Sequence, residues 1–190
     1  MNLPNKLSTA RIIMVPVIVA FMLLPQVPHH YLWALLLFAL ASYTDHLDGR
    51  IARTKGLITT FGQFLDPLAD KVLILAALIC FVKLDLCNIW LVLIIMMREF
   101  AVTSLRLVAV ESGKVIAANN WGKTKTVSQI AAVFLVLLLQ CLMEFGVFSA
   151  GMVPVILLVN NVLVGISCVF TVISGAVYIR QNAAVINQTK

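Results

Sequence analysis

The chain has 190 residues, of which 62% are hydrophobic and only 12% charged, with a net charge of +6. That charged share is about half of what soluble domains carry, and a soluble chain of this size could not hide so much apolar surface. A soluble enzyme, a disordered chain and a disulfide scaffold are therefore excluded, which leaves an all-α integral membrane protein.

Taken in chain order, the apolar runs predict six transmembrane helices. The first covers roughly residues 9–25. It follows Lys6 and Arg11 like a signal peptide, but no small-residue cleavage site comes after it, so it reads as a retained span. A polar break, PQVPHH, precedes a second span at 31–44 that continues as helix through 45–53. The third runs from 63 to 82 and the fourth from 89 to 110. A polar stretch, ESGKVIAANNWGKTKTVSQ, separates these from a fifth span at 127–145 and a sixth at 152–179. With short loops and no internal repeat, residues 1–190 form a single membrane domain.

Loop charge predicts the orientation. Numbering the loops alternately puts Lys6, Arg11, Arg50, Arg53, Lys55, Arg106, Lys114, Lys123, Lys125, Arg180 and Lys190 on one side and only Lys83 on the other. The positive-inside rule then makes both termini cytoplasmic, and six spans satisfy the split where five or seven would not. Basic residues here read as membrane-surface anchors and phosphate binders, so nucleic acid is not an expected partner.

Acidic residues carry the chemistry. The chain has eight, and four are Asp45, Asp48, Asp66 and Asp70. Carboxylates at membrane depth are costly and mark function. Asp45 and Asp48 share one helix face, as do Asp66 and Asp70 on the next helix. A short connection makes these helices antiparallel neighbours, so both pairs converge at the cytoplasmic ends of their spans. Four such charges repel unless a hard cation joins them, and carboxylate oxygens suit Mg²⁺ or Mn²⁺; four could bridge two ions. Gly49 and Gly62 leave room for a phosphate to approach the backbone. Pro67 leaves two readings open: a helix starting early enough to align Gly62, Asp66 and Asp70, or Asp66 as an N-cap with Pro67 in the first turn. A purely structural alternative pairs the acids with Arg50, Arg53 and Lys71.

The segment DHLDGRIARTKGLITTFGQFLDPLAD resembles the signature of the CDP-alcohol phosphotransferases, D-x-x-D-G-x-x-A-R, eight residues, then G-x-x-x-D-x-x-x-D. Asp45, Asp48, Gly49, Ala52, Arg53, Gly62, Asp66 and Asp70 occupy its fixed positions. PNKLSTAR and REFAVTSLRLVAVESGKVIAANNWGKTKTVSQ resemble the bacterial subgroup of that family whose acceptor is sn-glycerol 3-phosphate. The resemblance covers about residues 2–130, and the last two spans are generic.

The resemblance implies a homodimeric six-helix enzyme of the bacterial plasma membrane with its active site facing the cytoplasm. It would transfer a phosphatidyl group from CDP-diacylglycerol to sn-glycerol 3-phosphate and release CMP. Asp45, Asp48, Asp66 and Asp70 would hold two divalent cations, Mg²⁺ or Mn²⁺, with Asp70 also the general base. CDP-diacylglycerol would be bound by Asn5, Ser8, Arg11, Gly49, Ala52, Arg53, Thr59 and Gly62. Ser8 stands where Thr is commoner.

The acceptor phosphate needs cations. Arg98 lies inside the fourth span, where an unpaired arginine is costly; Glu99 is its alternative, structural partner. Arg106 falls about 80° round the helix from Arg98. Lys123 and Lys125 open the fifth span on the same side. Arg98, Arg106, Lys123 and Lys125 together form a candidate phosphate pocket, while Lys123 and Lys125 also read as plain anchors. This set favours a phosphorylated acceptor over serine and does not separate glycerol phosphate from inositol phosphate. A different class, a cation transporter, would place its acids near the bilayer midplane.

Other residues read as structure. Cys80, Cys87, Cys141 and Cys168 show no ligand spacing and read as small buried apolar groups. His29 and His30 lack a third ligand. Trp33, Trp90 and Trp121 sit at span ends as belt aromatics. Gly165 and Gly175 allow close helix packing, for instance at a dimer interface.

Overall fold

A computed structural model describes the backbone of residues 3–55, 60–111 and 120–182, and the side chains over 6–45, 68–109, 121–149 and 151–182. The described residues form α1 (Leu3–Leu23), α2 (His30–Lys55), α3 (Thr60–Lys83), α4 (Ile89–Glu111), α5 (Asn120–Glu144) and α6 (Val153–Gln181). A single 3₁₀ turn, Ala150–Met152, leads into α6. The fold is all-α, in the order the apolar runs predict.

Helix ends differ from the apolar runs in an instructive way. α1 begins at Leu3 and α5 at Asn120, so Lys6, Arg11, Lys123 and Lys125 are helical rather than in loops. Lys6 and Lys123 are exposed and can reach outward to water, whereas Arg11 and Lys125 turn inward onto carboxylates. α3 begins at Thr60. Gly62, Asp66 and Asp70 therefore lie on one helical stripe, and the reading of Asp66 as an N-cap is overturned. Pro67 withholds one N–H from the helix, a loss that is tolerated in membrane helices.

Among the described residues, three helices are long and apolar enough to cross a membrane: α1 over Lys6–Leu23, α5 over Trp121–Glu144 and α6 over Val153–Gln181. The others are interrupted by charge. The apolar run of α2 ends before Asp45, α3 carries Asp70 and Lys71, and α4 carries Arg98, Glu99 and Arg106.

α1 packs on α2 and α3, α2 on α5, and α6 on both α4 and α5. Val15, Ile18 and Met22 of α1 meet Ala34, Phe38 and Ala41 of α2, Leu73, Ala77 and Phe81 of α3, and Val133, Val136 and Leu137 of α5 in one core. These positions repeat at three- and four-residue steps, the spacing of one helix face. Alanines in the seam let the backbones approach, the usual basis of helix packing in lipid. Large apolar side chains also cover the outside, among them Leu36, Leu40, Leu158, Val162 and Val169. An apolar exterior around an apolar core is what a lipid solvent permits.

At one end of the bundle, polar contacts tie loops to helices. Glu144 closes α5 and accepts the backbone N–H of His30 at 3.0 Å and of Tyr31 at 3.2 Å. It thus satisfies two orphan donors at the start of α2. The His30 ring lies 3.0 Å from the Phe21 carbonyl, and the His29 ring stacks on Phe145 with centroids 4.6 Å apart. Both histidines serve the turn. Asn88 caps α4 by accepting the Trp90 N–H at 2.9 Å, and its own N–H donates to Asn161 of α6 at 2.8 Å. All four cysteines are free and buried. Trp33, Trp90 and Trp121 are exposed near helix starts, as belt aromatics should be.

Candidate active site

The site begins with an arginine. Arg11 sits within α1 and is 0% exposed. Its Nη1 donates to Asp45 Oδ1 of α2 and Asp70 Oδ1 of α3, each at 2.7 Å. One nitrogen thus draws together the first and last aspartates of the motif from two helices. Both carboxylates keep about a third of their side-chain surface, at 32% and 37%. A guanidinium this deep needs carboxylates to offset its lost hydration, and two meet it.

Helix geometry extends the cluster. Asp48 lies about one turn beyond Asp45 on α2, and Asp66 one turn before Asp70 on α3, each on the same face as its partner. Gly49, Ala52 and Arg53 lie on α2 and Gly62 on α3, while Asn5 belongs to α1. The side chains of Asn5, Asp48, Ala52, Arg53 and Asp66 lie outside the described ones, and Thr59 lies outside the described residues altogether. Ser8 is buried on α1, one turn before Arg11.

The described donors fit a hard divalent cation. Asp45 and Asp70 offer carboxylate oxygens that converge on one point, where a positive charge already sits in the form of Arg11 Nη1. Oxygen donors of this kind suit Mg²⁺ and Mn²⁺. Arg11, expected at the nucleotide, is found on the carboxylates. Of the partners in the structural alternative, the side chains of Arg50 and Arg53 lie outside the described ones, and Lys71 turns to Thr103.

A second polar cluster lies between α4, α5 and α6. Glu99 is 4% exposed and forms ion pairs with Arg98 and with Lys125 of α5. Arg98 Nη1 is 3.4 Å from Glu99 Oε1, and its Nη2 donates to Ser174 Oγ of α6 at 2.8 Å. Lys71 of α3 donates to Thr103 Oγ1, which in turn donates to the Glu99 carbonyl at 2.7 Å. Lys71 lies within electrostatic reach of Glu99, Arg106, Asp70 and Arg98. The charge of Lys71 therefore links the carboxylate cluster to the basic one.

Of the four candidate phosphate residues, Arg98 and Lys125 meet through Glu99. Arg106 is exposed on the flank of this group. Lys123 is exposed on α5, which fits an anchor. Lys71 was missed as a member, although its place directly after Asp70 signals proximity to the motif. By sequence Gly175 is a packing glycine, for instance at a dimer contact. A Cβ there would stand 2.9 Å from Arg98 Cγ, so within this chain the glycine accommodates an arginine. A Cβ on Gly165 would meet nothing within 4 Å.

Chemically, the two clusters differ in sign and adjoin through Lys71. One offers convergent carboxylates suited to cations. The other offers buried cations held by a single internal carboxylate, suited to an oxyanion.

The family model for CDP-alcohol phosphatidyltransferase matches residues 1–173. A protein of Bacillus subtilis named CDP-diacylglycerol--glycerol-3-phosphate 3-phosphatidyltransferase is 42% identical, across 95% of each chain. A protein of the same name from Rickettsia felis is 35% identical across 94% of each chain. Another from Pseudomonas fluorescens is 37% identical across 72% of each.

Proposed function

This chain belongs to the CDP-alcohol phosphatidyltransferase family, and from that membership we propose that it transfers a phosphatidyl group from CDP-diacylglycerol to sn-glycerol 3-phosphate. The products are phosphatidylglycerophosphate and CMP. The observation that carries the reading is the meeting of Asp45 and Asp70 on Arg11, which brings together motif positions 25 residues apart in sequence. The acceptor follows from the names of the relatives and agrees with the buried cations at Arg98 and Lys125.

In this reading six helices span the membrane, with both termini and the site on the cytoplasmic side. The enzyme works as a homodimer in the bacterial plasma membrane. The distribution of basic residues supports the orientation.

The chain's residues divide the work. Arg98 and Lys125 receive the acceptor phosphate, with Lys71 contributing positive charge between them and the carboxylates. Asp45, Asp48, Asp66 and Asp70 would hold two divalent cations, which when bound would supply neutralising charge to the diphosphate and favour departure of CMP. Asn5, Ser8, Gly49, Ala52, Arg53, Thr59 and Gly62 line the approach of the nucleotide. Asp70 accepts the proton of the acceptor hydroxyl. The hydroxyl oxygen bonds to the phosphorus that carries the diacylglycerol, and the bond from that phosphorus to CMP breaks. Arg11 orients Asp45 and Asp70 for these tasks and reduces their mutual repulsion.

The test is CMP release by purified protein in detergent, supplied with CDP-diacylglycerol and Mg²⁺ or Mn²⁺. Release that depends on glycerol 3-phosphate and stops with EDTA supports the reading. Release only with inositol phosphate or serine overturns the acceptor. No release with any acceptor, together with cation uptake into proteoliposomes, overturns the enzyme.

A further inference from the structure

We propose that α6 completes the acceptor-phosphate site around Arg98, with the Tyr178 hydroxyl donating directly to the acceptor's phosphate and Ser174 and Gly175 holding the arginine in place. The proposal rests on the reading of the acceptor as a phosphorylated alcohol. No motif residue lies on α6, which reads as a generic span in sequence.

The first support is the way Arg98 is held. Its Nη2 donates to Ser174 at 2.8 Å. A Cβ on residue 175 would stand 2.9 Å from Arg98 Cγ and 3.3 Å from Nε. The missing side chain therefore lets the arginine lie against α6, with its head on Ser174.

The second support is unspent hydrogen-bonding capacity. Tyr178 is 5% exposed. Its hydroxyl and Arg98 Nε are both buried, and neither has a hydrogen-bond partner among the described residues. Tyr178 lies within electrostatic reach of the guanidinium. Each unmet buried polar group costs about 1–3 kcal/mol, and these two belong to side chains that influence each other beside the cations Lys125 and Lys71, where an anion would satisfy both.

The third support is contrast along the same helix. Ser167, Thr171, Ser174 and Tyr178 form one buried polar face of α6. Ser167 donates to the Val164 carbonyl, and Thr171 is paired with Gln129 and the Ser167 carbonyl. Demand is met at Ser167 and Thr171 and left open at the level of Arg98 and, a helix-length away, at Asn160, whose buried amide also has no partner among the described residues. Arg98 Nε–H can only donate, and a hydroxyl can donate beside it. A group made of acceptor oxygens satisfies both, as a phosphate dianion would. Lys125 and Lys71 supply charge from the neighbouring helices. A packing role alone would need no hydroxyl, since phenylalanine fills nearly the same volume.

The experiment compares full-length wild type, Tyr178→Phe and Gly175→Ala in detergent with CDP-diacylglycerol and Mg²⁺. In Tyr178→Phe, KM for glycerol 3-phosphate should rise at least tenfold. Inhibition by inorganic phosphate should weaken by a similar factor, while KM for CDP-diacylglycerol and Tm stay unchanged. Gly175→Ala, which displaces Arg98, should show the same acceptor-selective loss. Unchanged acceptor KM and phosphate inhibition in Tyr178→Phe overturn the proposal and leave the proposed reaction standing. A fall in Tm with equal losses on both substrates also overturns it, in favour of a structural tyrosine. Wild-type CMP release that needs no phosphorylated alcohol and ignores inorganic phosphate overturns both the proposal and the reading beneath it.

Discussion

Arg11 Nη1 lies 2.7 Å from Asp70 Oδ1, although the two residues are 59 positions apart. This contact joins a buried cation on α1 to the last carboxylate of the motif on α3. The same nitrogen serves Asp45, so three helices are registered at one atom.

Removing that cation should be felt in both folding and activity. Arg11→Ala leaves Asp45 and Asp70 facing each other without a counter-charge. The carboxylates are about a third exposed, so screening reduces the loss to about 1–3 kcal/mol. Thermal unfolding in detergent should show a lower Tm, and CMP release should fall at least a hundredfold. Mn²⁺ should raise the Tm of the variant more than that of wild type.

Metal removal provides a second check. EDTA should abolish CMP release, and excess Mg²⁺ or Mn²⁺ should restore it. Asp48→Ala and Asp66→Ala should each lose activity at least a hundredfold, because in the proposed site each carboxylate would supply a ligand oxygen that an alanine side chain lacks. Full activity in either variant would contradict its role as a ligand.

The Glu99 ion pairs predict a different pattern. Glu99 is buried with Arg98 and Lys125. Glu99→Gln keeps the shape but strips the counter-charge from two buried cations, at a cost of roughly 3 kcal/mol. Unfolding measurements should register that loss. Saturating glycerol 3-phosphate should recover more Tm in this variant than in wild type, since the phosphate then supplies the missing negative charge.

Far from the chemistry, Glu144 caps the start of α2. Glu144→Ala should cost about 1 kcal/mol, the usual worth of a helix cap. Tm should drop by a few degrees while KM for both substrates stays unchanged. A loss of activity without a loss of Tm would argue against a purely capping role.

Cys87 sits in the turn between α3 and α4, and burial pushes its thiol up to about 11. The thiolate is the reactive form. At pH 8 only about 0.1% of this thiol would be ionised, three units below that value. Maleimide labelling of the native protein at Cys87 should be slow at pH 8 and accelerate as pH rises, as followed by peptide mass. Unfolding should abolish the difference from an ordinary cysteine.

The sequence alone determined what depends on local chemistry. Apolar runs of span length, separated by polar breaks, determined six helices in order. Three- and four-residue spacing determined that Asp45 pairs with Asp48, and Asp66 with Asp70, on shared faces. Those are properties of one helix at a time, and the helical repeat converts them directly into geometry.

Partner choice was decided only by the tertiary structure. Nothing in the local sequence ties Arg11 of α1 to the motif, yet it holds Asp45 and Asp70 from 34 and 59 positions away. Lys71, directly after Asp70 in the chain, turns instead to Thr103 and the environment of Glu99. Gly175 and Tyr178 carry no local sign of chemistry, and only the packing of α6 on α4 sets Gly175 against Arg98 and brings Tyr178 within its electrostatic reach. Even the start of α3 went against local preference, since Pro67 argued for a later start and the helix runs from Thr60. The physical reason is common to all of these. A buried charge or an unspent donor takes whatever partner the packed helices bring near, and which helices pack together depends on whole faces rather than on neighbouring residues.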